Sequence, residues 1–453
     1  MIKVEFMKVH VVGGGLAGSE VCWQLLKAGI SVTLHEMRPV KSTQAHHTGD
    51  LAELVCSNSL KSLRKETASG QLKLEMESLQ SLVISAAKKH AVPAGQALAV
   101  DRRPFSGEIL KRLSTFPDFS IEGSEVIKLP TQQEMKAANE YWVIATGPLT
   151  STSLAQDLQN MCGSDEPLAF YDAIAPILDA ESINMDHVFR ADRWGDDGVG
   201  DYLNIPLDRE MYENFVSNVI SAEKVPLHDF EETKYFEGCL PIEVMIERGR
   251  DTLRFGPMKP AGLVDPKTGK WPWANIQLRI ENHSESMFSM VGFQTKMKWP
   301  EQKKVFSQIP ALENVEFFRY GSIHRNTYMN SPKLLSNDLS LKANDRIFLA
   351  GQITGVEGYT ESAAIGILAG RSLVQRITGR TMSMPPPSTV IGALCEYVTK
   401  GCAGDFQPMN ANLGLLPPEP KVRGVSKKDR KAMQVKKAME RFTVWTEQAG
   451  FSQ

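Results

Sequence analysis

The chain has 453 residues, of which 51 are Lys or Arg and 53 are Asp or Glu, so its net charge is −2. This balance excludes a protein that holds nucleic acid by overall charge, and hydrophobic residues at 42% with charged residues at 23% exclude a disordered chain. No apolar run reaches the roughly 18 residues of a membrane span, and the N-terminus lacks the features of a secretory signal, so we expect a cytosolic protein with no membrane contact.

The first forty residues predict a dinucleotide-binding unit. Residues 8–12 form a valine-rich strand, residues 13–18 fit the pattern G-x-G-x-x-G, residues 19–27 have helical spacing, and a second strand ends at Glu36. In such a unit the glycines permit a tight turn, close approach of a pyrophosphate and close helix–strand packing, while the acid accepts hydrogen bonds from a ribose diol. The predicted cofactor contacts are Gly13, Gly14, Gly15, Leu16, Ala17, Gly18 and Glu36.

Two distant segments favour FAD over NAD as the cofactor. Residues 141–147 form a strand that ends in Ala-Thr-Gly, a second nucleotide contact typical of flavoproteins with two dinucleotide-binding domains, which predicts contacts from Thr146 and Gly147. Residues 345–351 form another buried strand, which leads through two glycines into a helix predicted over residues 362–376. This junction would place backbone N–H groups and a positive helix end at the electron-accepting edge of a flavin. We therefore expect tightly bound FAD.

The predicted fold class is α/β, with a Rossmann-like FAD-binding domain of the two-dinucleotide-domain flavoprotein type and an inserted α+β domain. We expect residues 1–170 and 329–453 to form the two parts of the FAD-binding domain, and residues 171–328 to form an inserted domain that faces substrate or RNA.

Two segments are locally basic. Residues 248–304 carry 11 Lys or Arg against five Asp or Glu, and residues 421–441, in a predicted basic C-terminal helical tail, carry nine against two. Both are candidate phosphate contacts, although a solvated loop face explains the first equally well.

The six cysteines do not predict a metal site. None is spaced as C-x-x-C, and no Cys/His cluster has the spacing of zinc ligands. Disulfides are not expected in a cytosolic chain of this size, so most of these cysteines should be small buried apolar residues.

Blocks along nearly the whole chain are similar to the folate- and FAD-dependent tRNA (uracil-5-)-methyltransferase family. The matching blocks are residues 36–40, 45–48, 52–60, 93–95, 97–102, 236–243, 324–328, 351–362 and 406–410. The resemblance adds Gly351, Gln352 and Glu361 to the expected cofactor contacts.

The resemblance implies formation of 5-methyluridine in the T-loop of tRNA. Methylenetetrahydrofolate would supply the carbon, reduced FAD would relay it and supply reducing equivalents, and NAD(P)H would reload the flavin. Uracil C5 becomes nucleophilic only after a thiolate adds at C6, so a cysteine should lie beside the base. By resemblance Cys239 is the candidate nucleophile and Cys56 a second active-site thiol, with the opposite assignment open.

Three further side chains are candidates for this site. The ring of Tyr359, between Gly358 and Thr360, is placed to cover a pterin stacked on the flavin. His46 and His47 are possible proton-transfer groups, of which at most one should serve, because adjacent residues in a strand face opposite ways.

Other functions stay open at this point. Some relatives act on ribosomal RNA, and a flavin oxidoreductase for a small molecule would share the nucleotide motifs. The larger wobble-uridine modification enzyme shares the junction at residues 350–355, but this chain is too short for its helical C-terminal region. A non-catalytic RNA chaperone that keeps FAD for structure is disfavoured by Cys239 within its intact block.

Overall fold

The computed structural model describes residues 7–163, 168–193, 200–225, 240–401, 406–417 and 426–449. The strands in these ranges are β1 Lys8–Val12, β2 Ser31–His35, β3 Ser59–Ser62, β4 Ala91–Val92, β5 Ala97–Val100, β6 Phe119–Glu122, β7 Glu140–Ile144, β8 Leu168–Ile174, β9 Ile177–Asp179, β10 Phe189–Arg190, β11 Tyr202–Leu207, β12 Ala274–Ile280, β13 Met287–Met290, β14 Phe317–Arg319, β15 Ser322–Tyr328 and β16 Ile347–Leu349. The helices are α1 Leu16–Lys27, α2 Ala68–Ser78, α3 Leu82–Lys89, α4 Arg102–Leu113, α5 Gln132–Ala138, α6 Thr152–Cys162, α7 Arg209–Ser221, α8 Ile242–Glu247, α9 Thr252–Phe255, α10 Trp299–Phe306, α11 Ser331–Leu334, α12 Tyr359–Thr378, α13 Val390–Lys400 and α14 Lys427–Gln448.

A parallel sheet in the order β16-β7-β1-β2-β6 forms the centre of the first domain. Val9 in β1 pairs with Val32 in β2 on one side and with Tyr141 in β7 on the other. Helices α1 and α12 pack on this sheet and on each other, and a Cβ at Gly366 would collide with the backbone of Ala17. The three segments separated in sequence therefore build one Rossmann-like unit, which confirms the predicted α/β fold class.

The inserted region has its own antiparallel sheet and its own core. The sheet order is β10-β11-β12-β13-β9-β14, and helices α7 to α10 accompany it. Phe215 of α7 stacks on Phe306 of α10 with ring centroids 6.1 Å apart, and both rings are buried. This second hydrophobic cluster is separate from the core around the parallel sheet. The insertion is thus an α+β unit whose core also includes Val92, Ala94 and Ala99 of the first domain.

Two neighbouring strands connect the inserted unit to the parallel sheet. β8 enters the insertion and β15 leaves it, and they pair antiparallel from Ser322 opposite Ile174 to Tyr328 opposite Leu168. The boundaries predicted at residues 171 and 328 fall within this pair.

The basic C-terminal segment forms the long helix α14. Its apolar residues Val435, Ala438, Phe442 and Trp445 follow helical spacing and are buried. The helix packs against α2, so its basic residues are left for the outer face. In the described ranges, no helix is long and apolar enough to cross a membrane.

Candidate active site

A cavity of about 490 Å³ opens where the parallel strands end and the inserted domain begins. This volume lies within the range of cofactor and ligand pockets. The predicted site residues that line it are Gly13, Gly14, Gly15, Leu16, Ala17, Glu36, His46, Cys56, Thr146, Gly147, Gln352 and Tyr359. Residues from β1, the loop after β7, the start of α12 and the inserted sheet therefore meet around one space.

The glycine loop has the geometry that the pattern predicts. Gly13 has φ +101°, and a Cβ there would lie 2.6 Å from the carbonyl oxygen of Ala145. A Cβ at Gly18 would collide with the carbonyl oxygen of Gly13, whereas a Cβ at Gly15 would meet no atom within 4 Å. Gly13 and Gly18 are therefore required by the turn and by helix packing, while Gly15 leaves backbone open towards the cavity.

Two helices begin at the cavity without a side-chain cap. Gly15 precedes α1 and Gly358 precedes α12, and neither helix start has a side-chain cap hydrogen bond. By contrast, Thr67 and Ser81 cap α2 and α3 away from the cavity. The first N–H groups of α1 are thus available to a ligand with phosphate or other acceptor groups, whereas at the start of α12 the carboxylate of Glu361 accepts from its own backbone N–H.

Glu36 lies at the end of β2, where a ribose contact is expected, but it is already bonded to protein. Its carboxylate accepts from the backbone N–H of Gly14 at 2.8 Å and from Arg38 Nε and Nη2 at 3.0 and 2.9 Å. Arg38 also reaches Glu53 at 3.1 Å. Burial alone would raise the pKa of Glu36, but the bonds and charge of Arg38 outweigh it and hold the pKa below its ordinary value. A ribose diol at Glu36 would share a carboxylate that Arg38 keeps ionised.

Cys56 lies in a short segment that side chains from both domains hold. The hydroxyl oxygen of Tyr359 accepts hydrogen bonds from the backbone N–H groups of Cys56 and Ser57 at 2.7 and 3.2 Å. On the opposite side, Arg319 donates to the carbonyl oxygens of Val55 and Cys56 at 2.5 and 3.0 Å. Cys56 is half-buried and is not in a disulfide. Its position in the cavity wall is therefore set by α12 and by β14 together.

The rest of this segment is bonded to the inserted sheet. Arg279 of β12 donates to Asn58 Oδ1 at 2.9 Å and to Ser57 Oγ at 3.1 Å. Arg102, at the start of α4, donates to the carbonyl oxygen of Leu54 and pairs with buried Glu281 at 2.8 Å. The cysteine segment is thus the place where the two domains bond to each other beside the cavity.

Glu361 has a different position from the other expected cofactor contacts. It is fully buried, pairs with Lys61 Nζ at 2.8 Å and accepts from the backbone N–H of Ala411 at 3.1 Å. Burial would raise its pKa, but the charge of Lys61 outweighs this and lowers it. Lys61 lines the cavity. Glu361 does not line it, and neither do Gly18 and Gly351.

The two adjacent histidines face different surroundings. His46 lines the cavity, and its Nδ1 lies 2.7 Å from Thr43 Oγ1, while His47 is exposed outside the cavity. Burial, and then the charge of Arg38, lower the pKa of His46 to about 4. Of the pair only His46 reaches the site, and it is neutral at physiological pH.

Cys239, the first candidate for the C6 nucleophile, lies outside the described residues. Within them, no group of three or more His, Cys, Asp or Glu could hold a metal ion. Sequence reasoning missed Arg38, Lys61, Arg279 and Arg319. Arg38 stands inside a recognised block, but Arg319 gave no signal, because its partners are backbone carbonyls 263 and 264 residues away.

Comparison with known proteins assigns the chain to a class and a family. Residues 8–381 match the profile of the family described as glucose inhibited division protein A. The solved structure of Aquifex aeolicus GidA in its form II crystal superimposes with a TM-score of 0.69 at 16% identity, covering 100% of this chain and 75% of that one. The fold and the glycine-loop site thus define an FAD-binding protein of the GidA type.

Closer relatives narrow the assignment. A methylenetetrahydrofolate--tRNA-(uracil-5-)-methyltransferase TrmFO from Syntrophus aciditrophicus is 52% identical over 437 residues, which is 96% of this chain and 97% of the relative. The TrmFO of Geobacter sulfurreducens is 50% identical over 438 residues, or 96% and 98% of the two chains. The chain belongs to the TrmFO family.

The residues of the cavity fit FAD. Gly15 presents open backbone, the uncapped start of α1 and the first turn of α12 face the cavity, and Glu36 is held ionised at the end of β2. These are the groups that an adenosine ribose, a pyrophosphate and an acceptor edge of a flavin require. The glycine loop and Glu36 would hold the adenosine and phosphate portion, and the start of α12 would lie at the flavin ring.

Proposed function

We propose that this chain methylates C5 of a uridine in tRNA, most specifically the T-loop uridine, with methylenetetrahydrofolate as carbon donor and NAD(P)H as source of electrons. The observation that carries the proposal is that Cys56 and Tyr359 line the same cavity as the glycine loop. A thiol is thereby placed beside the FAD site, where this reaction needs one.

The reaction replaces the C5 hydrogen of uracil by a methyl group. A cysteine thiolate adds at C6, C5 then attacks the one-carbon unit, and loss of the C5 proton with release of the thiolate restores the ring. FAD, when bound and reduced, supplies the electron pair that converts the methylene carbon to methyl, and the folate leaves as tetrahydrofolate. Cys239 is proposed as the attacking thiol and Cys56 as the second one.

The described side chains have roles around this chemistry. The Tyr359 ring is proposed to cover the pterin while its oxygen holds the N–H groups of Cys56 and Ser57. Neutral His46 is a proton acceptor in the cavity wall and not a proton donor. The base must leave the RNA stack to reach the cavity, so its walls must exclude water around the reacting carbon.

The outer face of α14 is the proposed contact for RNA phosphates. Lys431, Lys436 and Arg441 of this helix are exposed. Gln434 bonds the helix to the carbonyl oxygens of Leu413 and Pro417 at 3.3 and 3.1 Å, a few residues after Asn410 in the cavity wall. The helix is therefore linked to one wall of the cavity through the segment that follows Asn410.

The basic excess of the inserted domain is a weaker candidate for this contact. Many of its cations are paired on the surface: Arg250 with Glu213, Arg254 with Asp251, Lys298 with Glu223 and Lys304 with Glu301. Phosphates would have to compete with these carboxylates, which lie 2.7 to 3.6 Å from the cations and so closer than the 4.0 Å between Lys436 of α14 and Glu440.

Nucleoside analysis of RNA tests the proposal. The purified yellow protein is incubated with NADPH, methylenetetrahydrofolate and an unmodified tRNA transcript, and 5-methyluridine is measured by mass spectrometry. We expect close to one modified uridine per tRNA and none without folate. Methylation of a ribosomal RNA fragment instead would show that ribosomal RNA is the substrate. NADPH oxidation without any RNA product would indicate a flavin oxidoreductase for a small molecule.

A further inference from the structure

The two peptide groups that flank Cys56 are each bonded at both ends. Arg319 binds the carbonyl oxygens of Val55 and Cys56, and Tyr359 binds the N–H groups of Cys56 and Ser57. Because a peptide group is planar, fixing both groups fixes the backbone dihedrals of the residue between them. The direction in which the Cys56 side chain leaves the backbone is thus determined by one arginine and one tyrosine.

The same arginine brings positive charge to the cysteine segment. Arg102, Arg279 and Arg319 all bond to residues 54–58, and the acid among them is Glu281, 2.8 Å from Arg102 and 3.9 Å from Arg279. Burial and the charge of Arg102 lower the pKa of Arg319 to about 10, so Arg319 remains a cation at neutral pH. Among the described residues that bond to this segment or to its arginines, three cations therefore stand against one anion.

This arrangement has a cost that a purely structural brace would not need. Within the described residues, Arg319 Nε and Arg102 Nη2 are buried and make no hydrogen bond. Leaving such a group unpaired is destabilising. Neither arginine lines the cavity, so neither is placed to bind the cofactor or the substrate directly. A neutral donor would hold the same carbonyl groups at a lower cost. The positive charge of Arg319 therefore needs a reason other than holding the backbone.

We propose that Arg319, supported by Arg102, is a positioning residue that fixes the Cys56 thiol in the cavity and favours its thiolate. It acts through the backbone on both sides of Cys56 and through its charge, and it does not touch the substrate. The inference rests on the proposed function in taking Cys56 as an active-site thiol. It extends that function by assigning the activation of the thiol to the inserted domain.

The pH dependence of Cys56 alkylation tests this proposal. The full chain with bound FAD is treated with iodoacetamide from pH 5.5 to 9.5, and modification of the Cys56 peptide is measured by mass spectrometry. Buried Cys22 and Cys395 serve as internal references that stay unmodified in the folded protein. In Arg319→Met we expect the midpoint of the profile to move up by about one pH unit, so that alkylation at pH 7 becomes roughly tenfold slower.

Two further variants separate charge from fold. Arg319→Lys keeps the charge, so its alkylation midpoint should stay close to that of the wild type. Arg319→Gln keeps hydrogen-bond donors without the charge, so its midpoint should shift as in Arg319→Met. If Arg319→Met fails to hold FAD, Arg319→Gln takes its place in the test. Arg190→Met removes an exposed arginine of the same sheet that pairs with Glu285, and it should leave the profile unchanged. A wild-type profile in FAD-containing Arg319→Met or Arg319→Gln would overturn the proposal, as would equal shifts in the Lys and Met variants.

The outcome is independent of the methylation assay. Alkylation requires neither RNA nor folate, so a protein that makes no 5-methyluridine but shows the shift loses the proposed function and keeps the role of Arg319. A protein that methylates tRNA while its Arg319 variants react like wild type keeps the function and loses this role.

Discussion

The hydroxyl oxygen of Tyr359 accepts a hydrogen bond from the backbone N–H of Cys56 at 2.7 Å, although the two residues are 303 positions apart in the chain. Burial, and then the neighbouring Cys56, raise the pKa of Tyr359 well above its ordinary value. The phenol therefore keeps its proton at neutral pH. With its oxygen occupied by two N–H groups, its own O–H is a donor for a third group.

Tyr359→Phe should distinguish the role of the phenol oxygen from the role of the ring. The variant leaves the N–H groups of Cys56 and Ser57 without an acceptor, so we expect unfolding free energy to fall by about 1–3 kcal/mol. FAD absorbance should persist, while 5-methyluridine formation falls at least about tenfold, because the Cys56 backbone is released. Tyr359→Ala should in addition raise the requirement for methylenetetrahydrofolate while NADH still bleaches the flavin. Wild-type methylation by Tyr359→Phe would contradict the role of the oxygen.

Gly15→Val should abolish FAD binding without unfolding the protein. A Cβ at Gly15 meets no protein atom within 4 Å, so the side chain fits the fold but occupies the space through which a pyrophosphate approaches. The absorption spectrum should show a colourless protein, while circular dichroism stays like that of the wild type. Gly107→Val, at an exposed position of α4 that is equally open, should remain yellow. Full flavin absorbance in Gly15→Val would remove the cofactor assignment of this loop.

Reversal of two charges on α14 should weaken RNA binding in a salt-dependent way. For Lys431→Glu with Lys436→Glu, loss of two phosphate contacts makes the slope of log K against log salt shallower by roughly 1.8. Filter binding or fluorescence anisotropy over a range of salt concentrations measures this slope. The matched pair Lys298→Glu with Lys304→Glu, whose lysines face carboxylates in the inserted domain, should change it less. Equal slopes for α14 variant and wild type would leave α14 as a solvated helix.

His46 should make the folded protein less stable as the pH falls. Its pKa is about 4 in the fold and about 6.5 in an unfolded chain, so the unfolded state binds the extra proton first. The free energy of unfolding is therefore not reduced by His46 above pH 6.5, and it falls progressively as the pH drops from 6.5 to 4. We expect a loss of about 1 kcal/mol at pH 5, allowing for partial solvent screening.

Urea unfolding at pH 7.5 and pH 5 checks this dependence. His46→Gln should flatten it, whereas His47→Gln, at the exposed neighbour, should not. The same pH dependence in His46→Gln and wild type would assign the titration to other groups.

RNA that contains 5-fluorouridine should trap the attacking cysteine. Fluorine at C5 blocks the elimination that normally frees the thiol, so a covalent RNA–protein adduct accumulates. We expect the adduct in wild type and its loss in Cys239→Ala, which should still hold FAD and accept electrons from NAD(P)H. An adduct that persists in Cys239→Ala and disappears in Cys56→Ala would exchange the two roles. Full methylation by both variants would contradict covalent catalysis.

The nucleotide site was largely predictable because its signals are local. The strand, the glycine loop and the helix follow one another within 20 residues. The steric reason for each glycine of the pattern can be stated without knowing the fold. The strand predicted at residues 345–351 is Ile347–Leu349, and the helix predicted at residues 362–376 begins three residues earlier, at Tyr359. This earlier start puts Tyr359 on the first turn of α12, where it reaches Cys56.

The bonds between the domains were not predictable from these patterns. Arg319 recognises backbone carbonyls, which every residue has, so no sequence pattern marks its partners. The expectation for Glu36 was incomplete for a related reason: the motif places an acid at the end of β2, but Arg38, two residues later, already bonds its carboxylate. The carboxylate of Glu361 is likewise already paired, with Lys61, 300 residues away in the chain.

The paired strands β8 and β15 have a mechanical consequence. They are neighbours along their whole length, and both also contribute to the cavity wall, through Ile174 at the end of one and Asn326 within the other. Because the two strands hydrogen-bond to each other along their whole length, the entry to the insertion and the exit from it cannot separate, and the cavity residues that they carry keep a fixed spacing. A substitution that disrupts this pairing should therefore alter the cavity wall even where the substituted residue does not line it.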